Sequence, residues 1–378
     1  MAKQLRTWEV FFNPYIEIMR ILICIDSLNF GGAEKQAVFD ANALSRRGLD
    51  IYFCYFVAGP LAMELDDEII QFKIRSSSYL GRILALKRAV HQFKIDIIFA
   101  HMFRAEIICS LAGFLSKKPV VFNEHGLGLW RKRSHILAYK LASSGAKEIW
   151  CASEYCRKLR IEREGISSNK LKTVYNSYTQ WNHNNVRHDK FRNEILINNK
   201  ENTVIIGFVG RFDPVKRLHL LVDVAADCPF TNILFVLVGD GPEKSAIESI
   251  IRKRRLENKF LLPGFIHEPI AYYEKFDLFV MPSERESLSV ALLEAGSRGL
   301  PCIAFDVGGN AEIIIDGKTG CIIPQDDCQA FRQAIYLLVR DSQKRQSMGQ
   351  NASRYICEHF SGEKRIQCLL KTCSSYVL

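Results

Sequence analysis

The sequence predicts an α/β protein of two successive domains, each a doubly wound parallel sheet. Three observations carry that expectation. Short apolar runs alternate with helical patterns over most of the chain, which is how β-α units build a parallel sheet. The alternation stops once, in the Asn-rich segment 177–202, and then begins again. Each apolar run of the second series also ends on a glycine or a charged residue. Several loops therefore converge on one sheet edge, where open α/β folds bind ligands.

In chain order, residues 1–18 read as an extension upstream of a normal start at Met19. Glu9, Asn13, Pro14 and Glu17 break any apolar core that a signal peptide would need. Residues 20–26 (RILICID) suit a strand buried on both faces. Gly31-Gly32 then open a helical pattern that stops at Gly48. A glycine turn at a helix N-terminus either brings backbone N–H groups to a phosphate or is a plain tight turn. Further strands are expected at 51–57, 96–100, 119–123, 148–152 and 171–175, with helices at 78–94, 102–115, 129–144 and 154–164 between them. The run at 119–123 leads into Glu124-His125-Gly126. His125 thus stands where such sheets reach a ligand, or is a loop histidine bonded to the backbone.

The second series begins at 203–209 and ends on Gly210-Arg211-Phe212, with Pro214 and Lys216 beyond. Residues 232–238 end on Gly239-Asp240-Gly241-Pro242, 260–262 on Pro263-Gly264-Phe265, and 278–281 on the segment that follows. Residues 276–324 are the densest part of the chain. They hold a buried-strand run, a turn, Glu286 and Glu294, a helix, a second strand and a glycine pair. Residues 326–378 read as helices.

Composition narrows the class. Of 378 residues, 48% are hydrophobic and 24% charged, the balance of a globular protein with large cores. No apolar run reaches the roughly 18 residues of a membrane span. Twelve cysteines are scattered without a CxxC pair or zinc spacing, so they read as reduced thiols. The net charge of +10 is one-sided: residues 1–187 hold 27 Lys/Arg against 17 Asp/Glu, and residues 188–378 hold 24 of each. A basic first half suits phospholipid, nucleic acid or a phosphorylated acceptor. The segment LWRKRSHILAYKLASS at 129–144 mixes apolar and basic residues, as an interfacial helix does; an ordinary surface helix packed on the sheet is the other reading. Nucleic acid is set aside, because no RNP-like or helix-turn-helix pattern is present.

The motifs GRFDPVKR, LVGDGP, LPGF, PSERESLSVALLEA with GLPCIA, and GGNAE stand in the order in which they occur in the retaining glycosyltransferases of family 4. GGAEK, NEHG and CASEYCRK in the first half agree more loosely. Over residues 19–360 the chain resembles that family, the glycosyl transferases group 1. The resemblance implies a GT-B fold, with two Rossmann-like domains facing each other across a cleft and C-terminal helices. It places an acceptor-binding domain at 19–185, a nucleotide-sugar domain at 200–355, and a C-terminal helix at 356–378 that packs back on the first domain.

The same resemblance implies roles. Arg211 and Lys216 would hold the donor diphosphate, with Gly31 and Gly32 closing over it. A helix starting near Leu288 and Ser289 would add its N-terminal amides. Glu294 would take the ribose hydroxyls on its two oxygens. Gly239, Phe265 and Ile266 would line the base pocket. Glu286 and His125 would meet the reacting sugar. Protein cations would replace a metal, and no cofactor is implied. The reaction would move a hexose from a nucleoside-diphosphate sugar, UDP-sugar foremost, to a lipid-linked or polysaccharide acceptor for cell-surface glycans. Its place would be the cytoplasm or the inner membrane face, reached through the basic domain. A nucleotide-sugar epimerase or hydrolase of similar fold is the alternative. The chain departs from many relatives at Ser287-Leu288-Ser289, where they carry G-F-G, and at Ser177, where they carry glycine.

Overall fold

The computed structural model describes residues 19–178 and 203–377; the 1–18 extension and the core of the Asn-rich break lie outside them. In the first domain the strands are β1 (Arg20–Ser27), β2 (Asp50–Val57), β3 (Ile70–Lys73), β4 (Ile97–His101), β5 (Val120–Glu124), β6 (Glu148–Cys151) and β7 (Leu171–Thr173). In the second they are β8 (Val204–Val209), β9 (Ile233–Val238), β10 (Phe260–Gly264), β11 (Leu278–Met281), β12 (Cys302–Phe305) and β13 (Gly320–Ile323). Both sheets are parallel throughout, in the orders β3-β2-β1-β4-β5-β6-β7 and β10-β9-β8-β11-β12-β13. Each order reverses between its first and fourth strands, and the crevice at such a switch point is the usual ligand site.

Central strands such as β4 (IIFAH) and β9 (ILFVLV) are buried at every residue, because helices cover both faces. The two short outer strands β3 and β13 escaped the sequence reading. β3 (IQFK) is mostly exposed and β13 (GCII) only half-buried, so neither shows the apolar run by which the equally short β6, β11 and β12 were read. The helix expected at 129–144 is Arg133–Gly145, so Leu129–Lys132 form the loop before it.

Three helices close the chain: Cys328–Arg340, Ser342–His359 and Gly362–Val377. The last crosses back to the first domain. Its Ile366, Leu369 and Cys373 join the core formed by Ile21, Ile23, Phe99 and Trp150. Next to them Arg365 is buried with Asp40, giving two N–O contacts of 2.7 and 2.6 Å. Leu369 is fully buried. Its replacement by alanine should destabilise the first domain by about 2–5 kcal/mol, the cost of a large-to-small core change. Urea unfolding of both proteins measures this, and an unchanged midpoint would show the helix to be loosely docked.

Candidate active site

The C-terminal ends of both sheets open onto one cleft of about 1530 Å³. Every residue singled out for the site lies on its wall: Gly31, Gly32, His125, Arg211, Lys216, Gly239, Phe265, Ile266, Glu286, Leu288, Ser289 and Glu294. How they are held differs from residue to residue.

On the wall of the second domain, Lys216 Nζ lies 2.6 Å from Glu286 Oε1, and both side chains are largely shielded. Arg211 is more open; its Nε meets Asp213 at 3.1 Å and its side chain is 69% exposed. Gly239 adopts φ +149°, and any Cβ there would strike the carbonyl oxygen of Gly210. Glycine is therefore required where these two loops touch. The helix after β11 is Val290–Ser297, two residues later than Leu288; Ser289 caps it by accepting from the Leu292 N–H at 3.4 Å. Neither Ser287 nor Ser289 has a positive φ, so the serines replacing the relatives' glycines carry no backbone strain. Glu294 is buried, and only one of its oxygens is open to a ligand. Tyr273 OH donates to Oε2 at 2.8 Å, while Oε1 has no hydrogen-bond partner among the described residues. An unpaired buried carboxylate oxygen is costly unless a ligand supplies the donor.

From the first domain, Gly31 caps the helix Gly32–Ser45 and the Glu34 carboxyl lies beside it. Burial pushes the Glu34 pKa up, and Ser27 Oγ donates to its Oε1 at 3.1 Å. A Cβ on Gly32 would come within 3.3 Å of Val290 Cγ2, so glycine here lets the loop approach the helix of the other domain.

His125 is paired. Its Nε2 lies 2.9 Å from His101 Nδ1, and the two rings, 5.2 Å between centres and 18° from parallel, meet edge to edge. His101 ends β4, is wholly buried, and is in register with Asn123 of β5. Burial, then the charge of Arg365, lowers the His125 pKa to about 3; Glu124 and Asn176 act the other way. Burial first, with His125 and Arg365 adding to it, also holds His101 far below the usual range. Both rings are neutral.

Behind them Glu124 is buried with Arg131 at 2.5 Å and Arg160 at 3.7 Å, and Glu164 completes the group. Burial opposes the ionisation of Glu124, but the two guanidinium groups hold its pKa below the ordinary value. Arg131 and Tyr139 are thus interior residues rather than parts of a surface face.

Sequence reasoning missed His101, although it ends a strand exactly as the singled-out loops do one strand further on. It also missed Glu312, whose carboxylate accepts from the N–H groups of Glu154 and Tyr155 at 2.8 and 2.9 Å. That bond links the domains, and the GGNAE motif was its only local signal. Tyr273 and Arg365 carry no sequence signal, because their partners lie 21 and 325 residues away.

A family model described as "Glycosyltransferase Family 4" matches residues 30–178, and one described as "Glycosyl transferases group 1" matches residues 188–355. The chain belongs to the family 4 glycosyltransferases. It is 24% identical over 354 residues to an Escherichia coli UDP-Gal:alpha-D-GlcNAc-diphosphoundecaprenol alpha-1,3-galactosyltransferase, covering 89% of this chain and 91% of that one. It is 25% identical over 304 residues to the Staphylococcus aureus capsular polysaccharide biosynthesis glycosyltransferase CapM, covering 76% and 78%. The crystal structure of Anabaena HepE in complex with UDP superposes with a TM-score of 0.82 at 23% identity, covering 94% of this chain and all of that one. The fold of this glycosyltransferase is accordingly GT-B.

The neutral histidines give the glycosyltransferase a pH signature. Below the ordinary histidine value of 6.5 the unfolded chain takes up protons that the native His125, with a pKa of about 3, refuses. Stability therefore falls as pH drops through that window, by up to about 1.4 kcal/mol per pH unit for each such histidine. Urea midpoints at pH 7 and pH 5 should separate further in the wild type than in His125→Asn. Equal losses would mean that His125 titrates normally in the fold.

Proposed function

We propose that this glycosyltransferase moves a sugar from a UDP-sugar, with retention, to a lipid-linked or polysaccharide acceptor in cell-surface glycan synthesis. The observation that carries the reading is the Lys216–Glu286 pair at 2.6 Å on the cleft wall, a fixed cation beside a fixed carboxylate. A diphosphate entering there takes Lys216 and the exposed Arg211 as counter-ions and the N-terminal turn of the helix Val290–Ser297 as a dipole partner. Glu286 is then free to accept from the sugar hydroxyls. Glu294 Oε1 accepts from the ribose, and Phe265 with Ile266 flank the base. As the C1–O bond breaks, its electron pair passes to a diphosphate oxygen. The acceptor hydroxyl attacks C1 on the same face and gives its proton to that oxygen. The UDP in the HepE crystal structure and the UDP-Gal in the E. coli relative's name favour a uridine donor. The diphosphoundecaprenol in that name and the capsular role of CapM favour such an acceptor.

The acceptor side has a matching surface. No helix among the described residues is long and apolar enough to cross a membrane. Leu111 and Phe114 on the helix Phe103–Ser116 and Leu137 and Leu141 on the adjacent helix Arg133–Gly145 are exposed, Phe114 by 76%. Lys117, Lys132, Arg133 and Lys140 stand exposed around them. Apolar residues ringed by cations suit an anionic lipid surface.

Two measurements test the proposal. With UDP-, GDP- and ADP-sugars, with and without membrane lipid extract, UDP should be released only when acceptor is present. Release without acceptor would favour the hydrolase or epimerase, and failure to bind any nucleotide sugar would end the reading. Lys216→Ala should lower kcat/KM by about 10²–10³-fold, the scale for one lost charge-stabilising group, with an unchanged near-UV CD spectrum. In addition, Leu137→Glu with Leu141→Glu should weaken binding to vesicles containing phosphatidylglycerol and leave UDP binding intact; unchanged vesicle binding would remove these helices from the membrane face.

A further inference from the structure

The donor-only nature of a guanidinium fixes the direction of a chain of hydrogen bonds that ends at the cleft. Arg365, on the last helix, spends Nε and Nη2 on the two oxygens of Asp40, and Nη1 reaches the Tyr175 carbonyl at 3.2 Å. Nη2 also lies 3.2 Å from the Asn123 carboxamide, and since it can only donate, the atom facing it is Oδ1. The Asn123 amide is thereby oriented by chemistry, with its NH₂ turned to His101 Nε2 at 3.5 Å. That NH₂ is a donor, so His101 Nε2 is the acceptor. A neutral imidazole carries one proton, which in His101 must then sit on Nδ1 and point at His125 Nε2, 2.9 Å away. His125 Nε2 accepts, and the proton of His125 is left on Nδ1.

That nitrogen is in the right place to be used. His125 Nδ1 and Asn176 Oδ1 are both buried without a hydrogen bond of good geometry, yet the Asn176 amide is near enough to act on the ring as an acceptor for an Nδ1 proton; both residues line the cleft, where a substrate hydroxyl can come between them. A donor and an acceptor together match a hydroxyl, which can accept from one and donate to the other. We propose that Arg365, acting through Asn123 and His101, fixes His125 as its Nδ1–H tautomer, so that the ring donates a hydrogen bond to a substrate hydroxyl and cannot take its proton. Arg365, Asn123 and His101 are positioning residues in this scheme. The identity of that hydroxyl as the transferred sugar's or the acceptor's rests on the function proposed above; the tautomer does not.

The test is a long-range ¹H–¹⁵N spectrum of the full chain labelled with ¹⁵N-histidine at pH 8, with the two rings assigned through His125→Asn and His101→Asn. Expected are a protonated Nδ1 and a bare Nε2 on both rings. A His125 proton on Nε2, or an imidazolium at either position, overturns the proposal. Asn123→Asp supplies the reversing arm. It still meets Arg365 but offers His101 only an acceptor, so it should draw the His101 proton to Nε2 and move the His125 proton to Nε2. Transfer should then fall about ten-fold, the scale of one hydrogen bond to substrate, with little change in donor KM. A His125 tautomer unchanged in Asn123→Asp overturns the relay. Full transfer activity in His125→Ala would instead remove His125 from the substrate and leave the tautomer to be judged by the spectrum alone.

Discussion

A guanidinium cannot be neutralised by losing its proton, so Arg365 must be met wherever it is buried. Its side chain is 1% exposed, and the structure around it follows from that. Asp40 supplies the counter-charge from the helix after the glycine loop, and the carbonyls of Val174 and Tyr175 supply acceptors from the end of the first domain. Removing either partner of such a pair costs about 3–5 kcal/mol, because the other is left charged in the interior. The last helix is thus fastened to the first domain at one register. Burial keeps both histidine rings neutral, and the same positive charge adds to it. One residue ties the last helix to Asp40 and Asn123, next to the histidine pair on the cleft wall.

The second domain's wall of the cleft is built on a different principle, close backbone contact. Gly308 has φ +57°, and a Cβ there would overlap the Glu286 carbonyl oxygen. The Gly309 N–H donates to the Ser287 carbonyl at 3.0 Å. The GG pair after β12 therefore supports from below the loop that presents Glu286. Lys216 comes from a separate turn, after β8, and the two side chains meet only because β8 and β11 are neighbours at the switch point. The pair holds both groups in place, so under the proposed function a diphosphate would exchange one ion pair for another rather than order a loose lysine.

What could be read from the sequence divides along the same line. Runs such as ILFVLV and IIFAH announce buried strands, and glycines or charges at their ends announce loops on one edge, because strand burial and turn chemistry are local properties. The convergence of the second domain's loops was legible for that reason, whereas Lys216, Glu286 and Glu294 were assigned to the site only through the family resemblance. What remained hidden was decided by packing between distant segments. Nothing local shows that Tyr273 occupies one oxygen of Glu294, that Arg131 and Tyr139 turn inward, or that His101 meets His125. Strand order alone puts His101 beside Asn123, and the return of the last helix alone puts Arg365 over both.

The contacts between the domains differ in strength, and the difference has a direction. The chain passes from one domain to the other near residue 178 and returns near residue 360. At these crossings Glu312 accepts two main-chain N–H groups at the start of the helix Glu154–Glu164, where a carboxylate also meets the positive end of the helix dipole. Tyr355 OH holds the Glu312 carbonyl at 3.1 Å, and Tyr175 packs on Phe360 at 4.8 Å. The contacts made by the glycine-loop side are of another kind. Phe30 lies against Phe265 at 4.7 Å, and His267 meets Glu64 at 2.7 Å with 43% and 27% of their side chains exposed. An exposed pair of that sort is worth at most about 1 kcal/mol. The charge-assisted bonds of Glu312 therefore fix the two halves more firmly where the chain crosses than Phe30 and His267 do at the glycine-loop side of the cleft.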